Sequence, residues 1–269
     1  MPVSRSPNRG SKLPRPRPSI WPWVLIVSCA VVTVIAAALP ASLVGHFLPP
    51  EVRAGDFSGS LWHGSAGKIT VNSRNAGALE WWLHPAALLR LAVAVDLHWV
   101  KGGSVLEASA NFDRHGFAAS GIKGGGPLED LHDFGIATPW RGMTSVQFSE
   151  LKGDFGKLST AVGNISVSNL ASPQVADDAD WGAYELRLAP GAVAADGSVS
   201  AELNDSGEGP LEARVHIRLS PSESTGLITG TVKERPDAPA GVRTELDGLS
   251  QLHGRDSQGR IPVELEFTF

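Results

Sequence analysis

Three aspartates, Asp177, Asp178 and Asp180, form the densest acidic cluster of this chain. Carboxylates grouped so closely are what a divalent cation site requires, but they lack the ordered spacing of a calcium loop, and a solvated turn explains them better. The eight histidines (His46, His63, His84, His98, His115, His132, His216 and His253) never stand at metal-ligand spacing from one another or from a thiol. No His-Glu-x-x-His occurs among them. The sequence has no Gly-x-Ser-x-Gly elbow for a nucleophilic serine. Gly124-Gly125-Gly126 lacks the lysine and hydroxyl of a phosphate-binding loop and reads as a turn. The expectation is therefore a protein that is not an enzyme, with no catalytic residue, metal or cofactor.

What stands out instead is aromatic. Leu61, Trp62 and Gly64 are followed within twenty residues by Leu79-Glu80-Trp81-Trp82-Leu83, then Pro85, Leu88 and Leu89. In a strand, Leu61 and His63 oppose Trp62, and Trp81 and Trp82 point to opposite faces. One indole of the double tryptophan is expected to pack under a short helix that starts at Pro85, where a missing N–H costs nothing. Packing is the first reading of these rings, and contact with a partner protein or an apolar ligand is the second. A second group, Gly254, Asp256, Gly259 and Arg260, precedes the last strand-like run.

The elements that must position these residues are mainly β. Val93, Val95, Leu97 and Trp99 lie on one face with Ala94, Asp96 and His98 between them, and the same alternation recurs in Leu106 to Phe112, Tyr184 to Leu188, Val199 to Leu203, Val215 to Leu219 and Ile261 to Phe269. Period two over such lengths predicts strands with one buried face. Glycine-rich turns at 101–103, 124–127, 189–191, 205–210 and 256–259 suit antiparallel hairpins and meanders, in curved or sandwich-like sheets. Pro262 suggests an edge or unpaired position. Short helical turns are expected at 85–90 and 130–134, and another where Leu246, Leu249 and Leu252 recur every third residue. Two halves, about 50–135 and 140–269, are conceivable.

Topology comes from the N-terminus. Residues 1–19 carry Arg5, Arg9, Lys12, Arg15 and Arg17 with little to bury, and are expected to form a disordered cytoplasmic tail. Residues 20–39 hold no charge and, as a helix, span about 30 Å, the thickness of a bilayer core. A cleaved signal peptide is the competing reading, because Ala36 and Ala38 form a small-x-small pair, but the apolar run is long for one. Either way, residues 40–269 are expected outside the cytoplasm as a β-rich periplasmic domain. The chain has 23 basic and 28 acidic residues; setting aside the tail's five leaves 18 against 28, a charge of −10 that makes nucleic acid a poor partner. The single cysteine, Cys29, lies in the apolar segment, so the exported part can form no disulfide.

The order of these motifs resembles protein N of the bacterial type II secretion system, the GspN family. Leu61-Trp62-x-Gly64-x-Ala66 matches an early family element, and Leu79-x-Trp81-x-Leu83-x-Pro85-x-x-Leu88-Leu89 matches the next. Trp181-Gly182-x-Tyr184, the turn Leu203 to Leu211, and Leu246-x-x-Leu249-x-x-Leu252-x-Gly254 with Asp256, Gly259 and Arg260 follow in order. The resemblance implies a non-enzymatic accessory component of type II secretion, anchored in the inner membrane with its bulk in the periplasm. It implies contacts with inner-membrane platform proteins, with the secretin and a second copy of the chain as further candidates, and with lipid through the anchor. The alternative is an AsmA-like lipid-handling envelope protein whose sheet forms an apolar groove. A continuous open groove would favour lipid, and a closed sandwich core would favour protein contact.

Overall fold

The computed structural model describes residues 38–134, 140–172 and 180–268. The basic tail, nearly all of segment 20–39, and Asp177 and Asp178 lie outside the described residues. Among the described residues, no helix is long and apolar enough to cross a membrane. Residues Pro40–Phe269 form one compact unit.

This unit is built on one antiparallel sheet of thirteen strands, each paired with its neighbours in sequence. The first six are β1 (Val52–Gly59), β2 (His63–Val71), β3 (Arg74–His84), β4 (Val93–Lys101), β5 (Ser104–Phe112) and β6 (Phe117–Pro127). Two long strands, β7 (Arg141–Asp154) and β8 (Lys157–Ala171), lie at the middle of the order. The rest are β9 (Tyr184–Leu188), β10 (Val199–Asp205), β11 (Leu211–Ser220), β12 (Thr225–Glu234) and β13 (Ile261–Thr268). A meander forms, as expected, and the strands make one sheet; Gly124-Gly125-Gly126-Pro127, expected as a turn, instead continue β6 and pair with Met143 to Val146 of β7. Pro262 falls in β13, the edge strand at the end of the order.

Alternation along each strand gives this sheet two unlike faces, because residues directly opposite in a ladder point the same way. Leu83, Val95, Ala110, Ala119, Leu151 and Ala161 form one row across six strands. One residue along, on the other face, Trp82, Asp96, Ser109, Ser120 and Glu150 form the adjacent row. A slip of one residue anywhere would exchange these rows, so burial of the first fixes the register.

Two helical covers close parts of the apolar face. A 3₁₀ helix, Ala41–His46, lies over β1 and β2, where Ala41, Ala66, Trp81 and Val95 form a buried cluster. A 14-residue helix, α2 (Ala240–His253), lies between β12 and β13 in sequence. Its Val242 and Leu246, one turn apart, pack with Trp181, Leu211, Ala238 and Ile261 in a second cluster. The every-third-residue leucines suggested only a short turn there. The longer helix forms because Val242 and Leu246 supply the buried stripe, while Leu249 and Leu252 remain exposed. Of the other short helices, α1 is Pro85–Leu88 and a second 3₁₀ helix is Leu128–Phe134, near the positions expected for both.

Because the strands alternate in direction, every turn lies at one of two ends. The β1–β2, β3–β4, β5–β6 and β7–β8 turns share one end, and α2, the second 3₁₀ helix and the Asp205–Pro210 turn occupy the other. Pro40 forms an antiparallel bridge with Ser60 just past β1, so the chain enters the sheet at the first of these ends.

Candidate functional site

The first motif assembles around Trp81 at the entry end. Its indole is 5% exposed, and its Nε1–H donates to the Leu61 carbonyl at 2.9 Å. The Leu83 N–H donates to the Trp62 carbonyl at 2.7 Å, which fixes the β1–β2 turn against β3. Leu61 and Trp62 thus belong to a turn between strands, and the expected opposition of Trp62 to its neighbours along a strand does not occur. Gly64 faces Trp81 in the ladder, and a Cβ there would fall 2.7 Å from the indole and 2.9 Å from Ala41 Cβ. No side chain fits that space. Trp81 packs with Ala41 of the first 3₁₀ helix, in the cluster that Val44 and Phe57 flank, and not under α1.

Trp82 emerges on the polar face, 37% exposed, and stacks on His63 with ring centroids 5.0 Å apart. In front of it, His84 Nε2 lies 2.7 Å from Asp96 Oδ2, and the Ser109 hydroxyl donates to Asp96 Oδ1 at 2.6 Å. These two bonds, Ser109 first, hold the Asp96 carboxyl below its usual range. Serine, aspartate and histidine meet here in an order that does not activate a nucleophile. Asp96 sits between the other two and takes the hydroxyl proton's hydrogen bond, where the imidazole would have to take it. Pro85 opens α1, and Leu88 and Leu89 follow it on the surface.

The closing motif lies at the opposite end of the sheet and does not meet the first. Gly254 ends α2 with φ 75°. Asp256 Oδ1 accepts from the Gln258 and Arg260 backbone N–H groups at 2.7 and 2.8 Å, building the turn that leads into β13. Those backbone donors, Arg260 first, lower its pKa. Gly259 lies in the same turn with φ 75°, and its N–H donates to the Asp256 carbonyl. Arg260 lines a polar recess with Asp205, Glu212, Arg214 and Lys233. Between α2 and the turn, Arg255 pairs with both Glu234 oxygens at 2.7 and 2.8 Å and with Asp247 at 2.9 Å.

The two middle motifs come together. Gly182 and Gly209 meet so closely that a Cβ on Gly182 would fall 2.3 Å from Gly209 Cα. The Tyr184 hydroxyl donates to the Trp181 carbonyl at 2.8 Å. Asp205 accepts the Ala213 N–H at 2.9 Å and the Gly207 N–H at 3.0 Å, and pairs with Arg235, whose Nη1 donates to the Gly209 carbonyl. Burial, then the Asp205 charge, pushes the Tyr184 hydroxyl up to about 12. Each of these groups secures a turn or a close backbone contact.

Sequence reasoning missed the middle of the apolar face. There Ile69, Trp99, Leu106, Ile122, Val146 and Phe148 line a trough of about 560 Å³, with Leu131 of the second 3₁₀ helix against it. Part of the signal was present, since Ile69, Val146 and Phe148 stand between polar neighbours, but alternation alone does not say which stretch of a face stays uncovered. Among the described residues, no group of three or more histidine, cysteine or acidic side chains is placed to hold a metal.

Fold and site together define a protein built on one antiparallel meander sheet, whose motif residues among those described secure turns and close backbone contacts. The sequence model for the family "Type II secretion system (T2SS), protein N" matches residues 50–264. The Type II secretion system protein N of Vibrio cholerae serotype O1 (strain ATCC 39315 / El Tor Inaba N16961) is 25% identical over 255 residues, which are 88% of this chain and 94% of that protein. No solved structure matches the chain. The chain belongs to the type II secretion system protein N family, and its role is that of a non-enzymatic accessory component of type II secretion acting through protein contacts near the inner membrane.

Proposed function

We propose that residues 20–39 hold the chain in the inner membrane, with the tail in the cytoplasm, and that the sheet stands in the periplasm as a docking element for the inner-membrane platform. The observation that carries this reading is the use of the polar face near the entry end. Trp82 spends a large indole on solvent there, braced by His63 and beside the His84–Asp96–Ser109 bonds. A large aromatic ring held rigid at a surface is the kind of group on which protein contacts concentrate binding energy. Crosslinking in membranes tests it: Trp82→Ala should leave the fold intact and lower both crosslinks to platform proteins and export of folded substrates. Unchanged crosslinks and export in a folded Trp82→Ala protein would remove this contact. Mass spectrometry of the membrane form should find residues 1–38 attached.

The trough favours a second reading, in which the apolar face holds a lipid chain. Its lining is almost wholly apolar and, among the described residues, no second sheet closes it, the arrangement set out above as favouring lipid. Co-purified lipid that Phe148→Asp abolishes, without loss of fold, would support this role. A trough empty of lipid in protein extracted from native membranes would end it.

A further inference from the structure

Exposed large apolar side chains occur at several places, Phe47, Met143, Leu252 and Leu265 among them, but several of them gather at the entry end. On four adjacent strands, Val93, Phe112, Phe117 and Gly153 form the outermost row at the entry end. Beyond or within that row stand Leu89, Leu91 and Phe155, which are 90%, 81% and 72% exposed, with Leu88 and Phe112 also open to solvent. They come from three separate turns, and only the antiparallel meander brings them side by side. At the other end, the β2–β3 and β4–β5 turns are Asn72-Ser73 and Lys101-Gly102-Gly103, and the exposed apolar residues there, Met143, Leu249 and Leu252, come from a strand start and from α2 instead of from hairpin turns.

Two observations say that this patch has a use. Leu91 lies at φ 56°, a conformation disfavoured for any residue with a Cβ, and it keeps a leucine in water while doing so. A residue held in this way points to a function that the fold has to maintain. The second is where the rest of the chain lies. The antiparallel Pro40–Ser60 bridge has the chain running away from this end as it enters the sheet, and the next residue, Ala41, is buried. The residue before Pro40 is Leu39, the last of the apolar segment 20–39.

We propose that the entry-end turns sit in the lipid surface of the membrane that holds the anchor, with Leu88, Leu89, Leu91, Phe112 and Phe155 among the acyl chains just below the headgroups. Exposed Arg90, between Leu89 and Leu91, lays its stem along this apolar surface and turns its guanidinium to the lipid phosphates. The sheet then stands on the bilayer with a fixed end, and the far-end turns point into the periplasm. The apolar trough reaches Leu151, one same-face step from the Phe117–Gly153 pair.

This inference rests on the anchor reading, and one experiment separates the two. The full chain, with its only cysteine changed by Cys29→Ser, receives a bimane probe at Leu89→Cys, Phe155→Cys or, as a control, Ser73→Cys. Each protein is reconstituted into phosphatidylethanolamine–phosphatidylglycerol vesicles with doxyl groups near the head of the acyl chain. Quenching that removes most of the emission at 89 and 155, and little at 73, is the expected result. Flotation with the vesicles but equal, weak quenching at all three positions overturns the inference and leaves the anchor standing. A blue shift without quenching, lost on dilution, assigns the patch to a second copy and also overturns it. Chains that fail to float overturn both readings. Mass spectrometry of the same samples reports the anchor independently, and quenching of chains shown to lack it supports the lipid contact alone.

Discussion

Trp81 and Trp82 are adjacent in sequence and opposite in fate: the first is 5% exposed against Ala41 and Val95, and the second is 37% exposed against His63. The pleat alone sends them to opposite faces, and the 3₁₀ helix Ala41–His46 decides which is covered. The unlike sites predict unlike costs. Trp81→Ala should lower stability by about 3–5 kcal/mol, the cost of an aromatic cavity in a core. Trp82→Ala should cost under about 1 kcal/mol, as at other surface positions. Urea unfolding of the two variants decides this, and similar losses would contradict the assignment of faces.

Gly64 gives way to the Trp81 ring. In Gly64→Ala the new methyl would meet Ser60 O at 2.6 Å, Trp81 at 2.7 Å and Ala41 at 2.9 Å. Overpacking of this kind costs about 1–3 kcal/mol. The same change at Gly55, where nothing lies within 4 Å of an added Cβ, should be nearly neutral, and thermal unfolding of both variants makes the comparison.

Tyr184 is the only tyrosine in the chain, so its ionisation can be read directly from tyrosinate absorbance. Its hydroxyl should titrate at about 12 rather than the ordinary 10.0, because burial and the Asp205 charge disfavour the anion. The folded value lies above the unfolded one. The resulting stabilisation is therefore fully present below 10 and is lost as pH rises from 10 toward 12. Its size is at most about 2 kcal/mol after allowance for the ring's partial exposure. A midpoint near 10 in folded protein would mean that the hydroxyl is not held as described.

Arg235 and Asp205 form a partly buried pair that also holds the Gly209 carbonyl. Arg235→Met should cost about 3 kcal/mol, because it leaves the carboxylate without its cation. Adding Asp205→Asn should recover part of that loss. A double-mutant cycle with no coupling would show the pair to be incidental.

Acid should act through Glu234. The Arg255 guanidinium holds its carboxyl below the usual range, so the folded pKa is depressed. That stabilisation is present above the unfolded carboxylate pKa and disappears as pH falls through the lower folded value. Arg255→Met should therefore be less stable than the parent at neutral pH, and the two should converge in acid. Denaturant midpoints measured across the acid limb provide the check, and a constant gap would rule out this coupling.

The sequence read alone determined some of the strands, because period two in runs such as Tyr184 to Leu188 and Ile261 to Phe269 is a local property of each segment; it did not pick out the long pair β7 and β8. It also determined the turns at 101–103, 189–191, 205–210 and 256–259 and the opposed directions of Trp81 and Trp82, but it marks 124–127 as a turn where the β7 partner makes them strand. It did not determine α2, because a single buried pair, Val242 and Leu246, becomes a helical stripe only when Trp181 and Ile261 are there to receive it. Only the tertiary structure decided which stretches of the apolar face are covered. Only it showed that Gly182 meets Gly209, and that Leu89, Leu91, Phe112 and Phe155 share one end. Periodicity fixes the direction of a side chain relative to its own strand. What that side chain meets depends on residues tens of positions away, and the thirteen-strand ladder sets those distances.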